Sequence, residues 1–187
     1  MDIVNVMTCG SVDDGKSTLL GRLIFETDNL LVDQSEYLNK LNKKYKKKNL
    51  DIDYSLLLDG LIDERQQGIT IDIAFKYFSL KNKQFILIDS PGHKEFTQNV
   101  ANAATFADVA LILLDITKGI TNQTKKHIDI INMFPNIKNI VFCINKMDKV
   151  NYSKTKFNKL KEELSEYNVK KDYRYDLIIP ISAKNGE

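Results

Sequence analysis

GSVDDGKS, residues 10–17, fits the pattern G-x-x-x-x-G-K-[ST] without a mismatch. In this pattern, backbone N–H groups wrap phosphates, the lysine reaches the β- and γ-phosphates, and the hydroxyl side chain binds Mg²⁺. An apolar run, 3–9, precedes the motif, and apolar residues with helical spacing follow it in 18–25. A strand, a glycine loop and a helix N-terminus in this order aim a helix dipole at an anion. The stretch therefore predicts a phosphate-binding loop at the edge of an α/β sheet.

The composition is that of one globular domain. The chain has 187 residues, of which 43% are hydrophobic, and no apolar run reaches the length of a membrane span. The first strand begins close to Met1, which leaves no room for a signal peptide. Cys9 and Cys143 lie in predicted core strands, where we expect buried free thiols. These features predict a cytoplasmic protein without a membrane partner.

The charge does not indicate a nucleic-acid partner. The formal net charge is +2, and only three basic residues are arginine, which limits bidentate recognition of bases or phosphates. The lysine-rich run 43–48 is better interpreted as a solvated helix end than as a nucleic-acid-binding patch. We therefore expect no direct contact with nucleic acid.

Strand and helix patterns alternate along the chain, which is typical of an α/β fold. Two strand patterns flank a turn at 81–83 and predict an antiparallel hairpin. We expect a P-loop NTPase domain with a mostly parallel six-stranded sheet, one antiparallel edge hairpin and helices on both faces. The six predicted strands are 3–9, 71–78, 85–89, 109–115, 140–145 and 177–181, of which 71–78 and 85–89 form the hairpin, and the further helices are 94–105, 122–133 and 154–166.

The segment DSPGH, 89–93, follows a predicted strand. A carboxylate at a strand end, here Asp89, can hold Mg²⁺ through water. Gly92 has no Cβ, so its backbone N–H can approach a γ-phosphate closely. Alone, the motif is weak, because Asp, Pro and Gly are ordinary turn residues.

The segment NKMD, Asn145 to Asp148, follows another predicted strand. Asp148 can accept hydrogen bonds from N1–H and the 2-amino group of guanine, a pair that adenine lacks. The Lys146 stem can lie on the face of the base. A backbone N–H of the segment Ser182-Ala183-Lys184, after the last strand, can approach guanine O6.

The order GSVDDGKS, Thr70, DSPGH, NKMD, SAK is that of GTP-binding G domains, and each motif follows a predicted strand, where open α/β sheets bind ligands. The sequence thus predicts GTP or GDP with Mg²⁺. The metal ligands are Ser17, Thr70 and Asp89. The predicted nucleotide-binding residues are Gly10, Ser11, Val12, Asp13, Asp14, Gly15, Lys16, Ser17, Thr18, Asp89, Gly92, Asn145, Lys146, Asp148, Ser182, Ala183 and Lys184.

Lys16, Thr70 and His93 are the predicted catalytic residues. Lys16 would neutralise phosphate charge, and Thr70 would complete the Mg²⁺ shell when its segment closes over GTP. His93 would orient the attacking water; the alternative is a surface histidine beside a turn. His127 has no motif around it and is predicted to lie on a helix surface.

Two segments resemble the switch regions of translation-factor-type GTPases: DGLIDERQQGITIDIAFKYF, 59–78, and DSPGHKEFTQNV, 89–100. Elongation factor Tu, however, carries histidine at the position of Asp14. The stretches 8–34, 56–79 and 118–130 resemble the large GTPase subunit of bacterial ATP sulfurylase. In related GTPases an aspartate at the position of Asp13 can help hold a monovalent cation such as K⁺; the alternative is an exposed loop acid.

The sulfurylase resemblance implies a complex in which GTP hydrolysis drives formation of adenosine 5′-phosphosulfate and pyrophosphate from ATP and sulfate. A small catalytic subunit would be the partner, in a heterodimer or larger assembly. The family carries two β-barrel domains after the GTP-binding domain, so 1–187 is expected to be a fragment. Lys94 and Gln98 depart from the family pattern, which bears on partner contacts only.

Two other functions remain open. A translation factor of the elongation or initiation type would act on the ribosome. A nucleotide-dependent interaction switch would use hydrolysis only to time the release of a partner. Asp14 and the sulfurylase-like stretches favour the metabolic GTPase over both.

Overall fold

The strand β1 lies inside the sheet and separates its two halves. The computed structural model describes residues 2–27, 54, 74–90 and 97–187, and its strands follow the order β2-β3-β1-β4-β5-β6. All neighbouring strands are parallel except β2 and β3, which form the antiparallel edge hairpin. The predicted sheet is therefore confirmed. The strands are β1 Asp2–Cys9, β2 Ala74–Leu80, β3 Lys83–Asp89, β4 Val109–Asp115, β5 Asn139–Asn145 and β6 Leu177–Pro180.

Helices cover both faces of the sheet, as predicted. Successive side chains of a strand point to opposite faces, so Val6 and Met7 of β1 belong to different hydrophobic clusters. The Val6 cluster packs on Leu20 and Ile24. The Met7 cluster packs on the other helices and contains the fully buried Phe142. The helices are α1 Lys16–Glu26, α2 Thr97–Phe106, α3 Asn122–Asn132 and α4 Lys154–Lys171, with a short 3₁₀ helix at Met147–Val150.

The residues that cap the helices explain where the predicted boundaries agree with the structure and where they differ. The helix α4 continues to Lys171, beyond the predicted end at 166, and stops at Asp172 in a left-handed conformation with φ of 55°. The helix α3 starts where predicted, because the Thr121 hydroxyl accepts a hydrogen bond from Thr124 N–H at 3.1 Å. None of the described helices combines the length and the apolar character needed to cross a membrane.

The two cysteines are buried free thiols, as the sequence predicts. Burial raises the pKa of both Cys9 and Cys143 to about 12. Since the thiolate is the reactive form, these thiols are chemically inert in the folded chain.

The parallel strands bring the predicted site segments to one edge. β1 pairs with β3 on one side and with β4 on the other, which is the switch point where open α/β sheets bind ligands. The segments after β1, β3, β4, β5 and β6 all leave from the carboxyl edge of the sheet. This edge positions the site.

Candidate nucleotide-binding site

Two glycines shape the loop that joins β1 to α1. Gly10 has φ of 155°, and a Cβ there would lie 2.7 Å from the Leu113 carbonyl oxygen. Gly15, at the N-cap of α1, has φ of 94°, and its Cβ would collide with the Asn145 side-chain amide. Both positions therefore need glycine for backbone conformation and for space.

Lys16 lies inside this loop. Its ammonium donates to the carbonyl oxygens of Gly10 at 3.0 Å and Ser11 at 2.9 Å. The residue is only 7% exposed, and burial lowers its pKa, although the charges of Asp89 and Asp14 oppose the shift. An ammonium has three donors, and these carbonyls take two of them. The arrangement places a buried cation at the N-terminus of α1, where an anion would be stabilised.

Asp14 points into the protein. It is 1% exposed, and its Oδ2 accepts a hydrogen bond from Ser11 N–H at 2.7 Å. Its Oδ1 has no hydrogen-bond partner among the described residues. Burial raises the pKa of the Asp14 carboxyl to about 6. Asp14 thus stabilises the loop through its hydrogen bond to Ser11. Asp13, in contrast, is exposed and has a φ of 66°.

The connection between β4 and α3 closes over the loop from outside. The hydroxyl groups of Thr121 and Ser11 form a hydrogen bond, with their oxygens 2.9 Å apart. Lys118 donates to the Val12 carbonyl oxygen at 3.0 Å. Sequence reasoning missed both residues, although their position just after a strand that ends at the ligand edge was a usable signal.

Asn145 joins the loop after β1 to the loop after β6. Its side chain is buried; Nδ2 donates to the Asp14 carbonyl oxygen at 2.7 Å, and Oδ1 accepts from Ala183 N–H at 3.0 Å. The loop after β1 and the loop after β6 are therefore connected through one amide group.

Lys146 and Asp148 are each held by a second residue. The Lys146 ammonium pairs with Asp115 at 2.8 Å. Burial alone would raise the pKa of Asp115, but hydrogen bonds from Lys146 and Thr117 outweigh it and hold the pKa below its usual value. The Ser182 hydroxyl donates to Asp148 Oδ1 at 2.6 Å. Both side chains are thus oriented, and sequence reasoning missed Asp115 and Thr117 as supports.

The predicted metal side is described in part. Asp89 is 3% exposed and accepts a hydrogen bond from the Thr8 hydroxyl at 3.1 Å. Ser17 lies in the first turn of α1. The predicted residues Thr70, Gly92 and His93 lie outside the described residues.

The donor chemistry fits Mg²⁺. The Ser17 hydroxyl and the Asp89 carboxylate offer hard oxygen donors, which Mg²⁺ prefers. Within the described ranges no group of three or more His, Cys, Asp or Glu side chains could hold a metal. Mg²⁺ in nucleotide-binding proteins is commonly held by one or two protein oxygens together with phosphates and water.

The prediction that His127 lies on a helix surface is wrong. His127 is fully buried, and its Nε2 lies 2.9 Å from the Gln123 amide nitrogen. Burial, followed by the charge of Lys16, lowers its pKa to about 4. The signal was present in the sequence, because 127 shares the helical spacing of the buried Ile128 and Ile131.

The elongation factor Tu GTP-binding domain model matches residues 1–187. The chain belongs to this family. Guanine nucleotide binding is the property that the domain's description names, and it agrees with the order of the motifs at the carboxyl edge.

Named relatives differ in process and in similarity. Sulfate adenylyltransferase subunit 1 of Colwellia psychrerythraea is 42% identical over 186 residues, which cover 100% of this chain and 40% of that protein. A crystal structure of the bacterial selenocysteine-specific elongation factor EF-Sec matches 100% of this chain and 26% of its own, with a TM-score of 0.74 and 28% identity.

A further solved structure contains a nucleotide analogue. Elongation factor SelB from Methanococcus maripaludis, in complex with the GTP analogue GppNHp, is 27% identical. Its TM-score is 0.67, over 99% of this chain and 31% of that one. The chain therefore spans well under half the length of each of these relatives.

We predict that His127 makes stability fall at acid pH. The unfolded chain takes up a proton near the ordinary pKa of 6.5, whereas folded His127 does so only near 4. Stability contributed by neutral His127 is present above pH 6.5 and is lost as the pH falls toward 4, by about 3 kcal/mol.

Urea unfolding of the wild-type chain and of His127→Gln, from pH 7 to pH 4, measures this difference. The raised pKa of Asp14 acts in the opposite direction but is common to both proteins, so it cancels. Parallel pH curves for the two proteins would contradict the prediction.

Proposed function

We propose that this chain is the GTP-binding domain of the large subunit of a sulfate adenylyltransferase. In that enzyme GTP binding and hydrolysis would drive formation of adenosine 5′-phosphosulfate and pyrophosphate from ATP and sulfate. The observation that carries the proposal is the 42% identity along the whole chain to a protein of this name. The match to EF-Sec, at 28%, is much lower.

Asp14 also supports this function over a translation factor. The sequence departs from elongation factor Tu at this position, where that factor has histidine. Asp14 is buried in the loop and accepts a hydrogen bond from Ser11 N–H, so this difference in sequence lies inside the proposed phosphate-binding loop and not on its surface. The ribosomal function is supported only by the family name and by likeness to solved elongation factors.

Guanine specificity is proposed to rest on Asp148. Its carboxylate would accept hydrogen bonds from N1–H and the 2-amino group of guanine. The Ser182 hydroxyl occupies Oδ1 at 2.6 Å and so fixes the plane of the carboxylate. Lys146, anchored by Asp115, would cover the base face with its aliphatic stem.

Hydrolysis is proposed to depend on positioning and charge rather than on a covalent nucleophile. Bound Mg²⁺ would supply neutralisation of phosphate charge. The Lys16 ammonium, which donates to the carbonyl oxygens of Gly10 and Ser11, would donate to phosphate oxygens instead and would neutralise part of their charge. Ser17 and Thr70 would supply hydroxyl ligands to Mg²⁺, and Asp89 would hold the ion through water. His93 would orient the attacking water.

The remaining assignments are proposals of the same kind. Asp13, exposed in the loop, would help to hold a monovalent cation. The range 1–187 would form the GTP-binding domain, with β-barrel domains in the part of its relatives that it does not span. A small catalytic subunit would be the partner, and the cytoplasm the compartment.

We predict that Asp148→Asn switches base preference from guanine to xanthine. Asparagine keeps the side-chain oxygen that accepts the hydrogen bond from Ser182, but it replaces the second carboxylate oxygen with an NH₂ group. This donor faces the 2-amino group of guanine, which is also a donor, whereas xanthine has an accepting oxygen there. Affinity for GDP should fall by at least about 100-fold, since the lost hydrogen bonds involve a charged group. Affinity for XDP should rise.

Titration calorimetry with GDP and XDP measures both changes. Glu162→Gln, on the exposed face of α4, removes the same charge away from the site and should leave both affinities unchanged. An Asp148→Asn variant that still prefers GDP would refute the base-reading role.

We predict that the full-length protein associates with the small catalytic subunit of sulfate adenylyltransferase from the same source, and that association raises its GTP hydrolysis rate. Co-elution in size-exclusion chromatography and release of inorganic phosphate are the measurements. Purified ribosomes serve as the matched control partner. Stimulation by ribosomes, with no association with the catalytic subunit, would favour the translation factor instead.

A further inference from the structure

Arg22 connects helix α1 to the loop that follows β6. Its Nη1 donates to the carbonyl oxygens of Ala183 at 3.3 Å and Lys184 at 2.5 Å. Its Nε donates to Glu26 at 2.7 Å, and only 16% of the Arg22 side chain is exposed. Neither the phosphate-binding motif nor the base-reading motif includes this residue.

The guanidinium is held on its edge and on its face. Its central carbon lies 4.8 Å from the centre of the Tyr54 ring, within the range of a cation–π contact. Gly186 closes the turn after the loop with φ of 80°, and a Cβ there would collide with the guanidinium. The loop backbone therefore passes as close to Arg22 as glycine permits.

We infer that Arg22 is a positioning residue for recognition of the base. A trans peptide unit is planar, with its C=O and N–H on opposite sides. Arg22 donates to the carbonyl oxygen of Ala183 and so fixes the peptide unit between Ala183 and Lys184. The Lys184 N–H of this unit then points away from the guanidinium, as one of the N–H groups of the loop that can approach guanine O6.

The loop also positions Asp148. The Ser182 hydroxyl, one residue before Ala183, donates to Asp148 at 2.6 Å, while Ala183 N–H donates to Asn145 at 3.0 Å. On the opposite side the loop is held by Arg22. Loss of that contact would remove the hold on the Ala183 and Lys184 carbonyls, while the Ser182 hydroxyl would still orient Asp148.

Arginine suits this position better than lysine. Its planar fork reaches Glu26 through Nε and two carbonyl oxygens through Nη1 at the same time. A lysine ammonium would serve the carbonyls as a flexible point donor and would lose the fixed geometry. Methionine would keep much of the stem packing and remove every donor.

This inference rests on the proposed base recognition, and nucleotide affinities of the full chain test it. The probes are GDP and 2-aminopurine riboside diphosphate, which keeps the 2-amino group but lacks O6 and the N1 hydrogen. For Arg22→Met we expect GDP affinity to fall about tenfold, which corresponds to about 1.4 kcal/mol. Affinity for the analogue should change less than about twofold, and Arg22→Lys should be intermediate.

Arg174→Met is the matched control, since Arg174 also donates to a backbone carbonyl, that of Phe134 at 2.8 Å, away from this loop. It should leave both affinities unchanged. Unchanged GDP affinity in Arg22→Met, or an equal loss for both nucleotides, would overturn the inference. A wild-type chain that bound both nucleotides equally would refute the proposed base recognition first, and this inference with it.

Discussion

The buried amide of Asn145 is the constraint on which the rest of the site depends. It lies at the carboxyl end of β5 and bonds the Asp14 carbonyl oxygen on one side and the Ala183 N–H on the other. Removing the amide would leave both backbone groups buried without a partner, at about 1–3 kcal/mol each. Gly15 must be glycine because this amide occupies the space of a Cβ. The loop after β1 and the loop after β6 are thus held together by one side chain. Such preorganisation would lower the entropic cost of binding a ligand to both loops.

The same loop carries charges that are unfavourable without a ligand. Burial raises the pKa of Asp14 and lowers that of Lys16, so each charged form is destabilised by its surroundings. Oppositely directed shifts of neighbouring groups are typical of functional sites. An anionic phosphate beside Lys16 would stabilise the ammonium, so part of the cost of building the site would be recovered only when nucleotide binds.

The sequence predicted the sheet because its strands are long apolar runs that end in polar residues. Val109–Asp115 and Asn139–Asn145 are buried on both faces, and an unbroken apolar run is typical of such strands. The glycine loop and the residues Asn145, Lys146 and Asp148 were predicted to bind nucleotide because motifs of fixed spacing carry this chemistry.

Supports of the site could not be predicted in the same way. Arg22, Asp115, Lys118 and Thr121 act through contacts with segments far away in the chain, and spacing does not reveal which distant carbonyl a side chain will reach. His127 was mistaken for a surface residue because its polarity outweighed its helical position. The end of α4 was missed because a left-handed Asp172, not a glycine or proline, stops it.

GTP-driven sulfate activation is tested most directly by the amount of adenosine 5′-phosphosulfate that the complete enzyme forms from ATP and sulfate when pyrophosphate is allowed to accumulate. The full-length protein, mixed with the small subunit of a sulfate adenylyltransferase from the same source, is assayed with GTP, with GppNHp and without nucleotide. If hydrolysis drives the reaction, GTP should carry product well above the level reached without nucleotide, and GppNHp should not. Equal product levels under all three conditions would contradict the coupling.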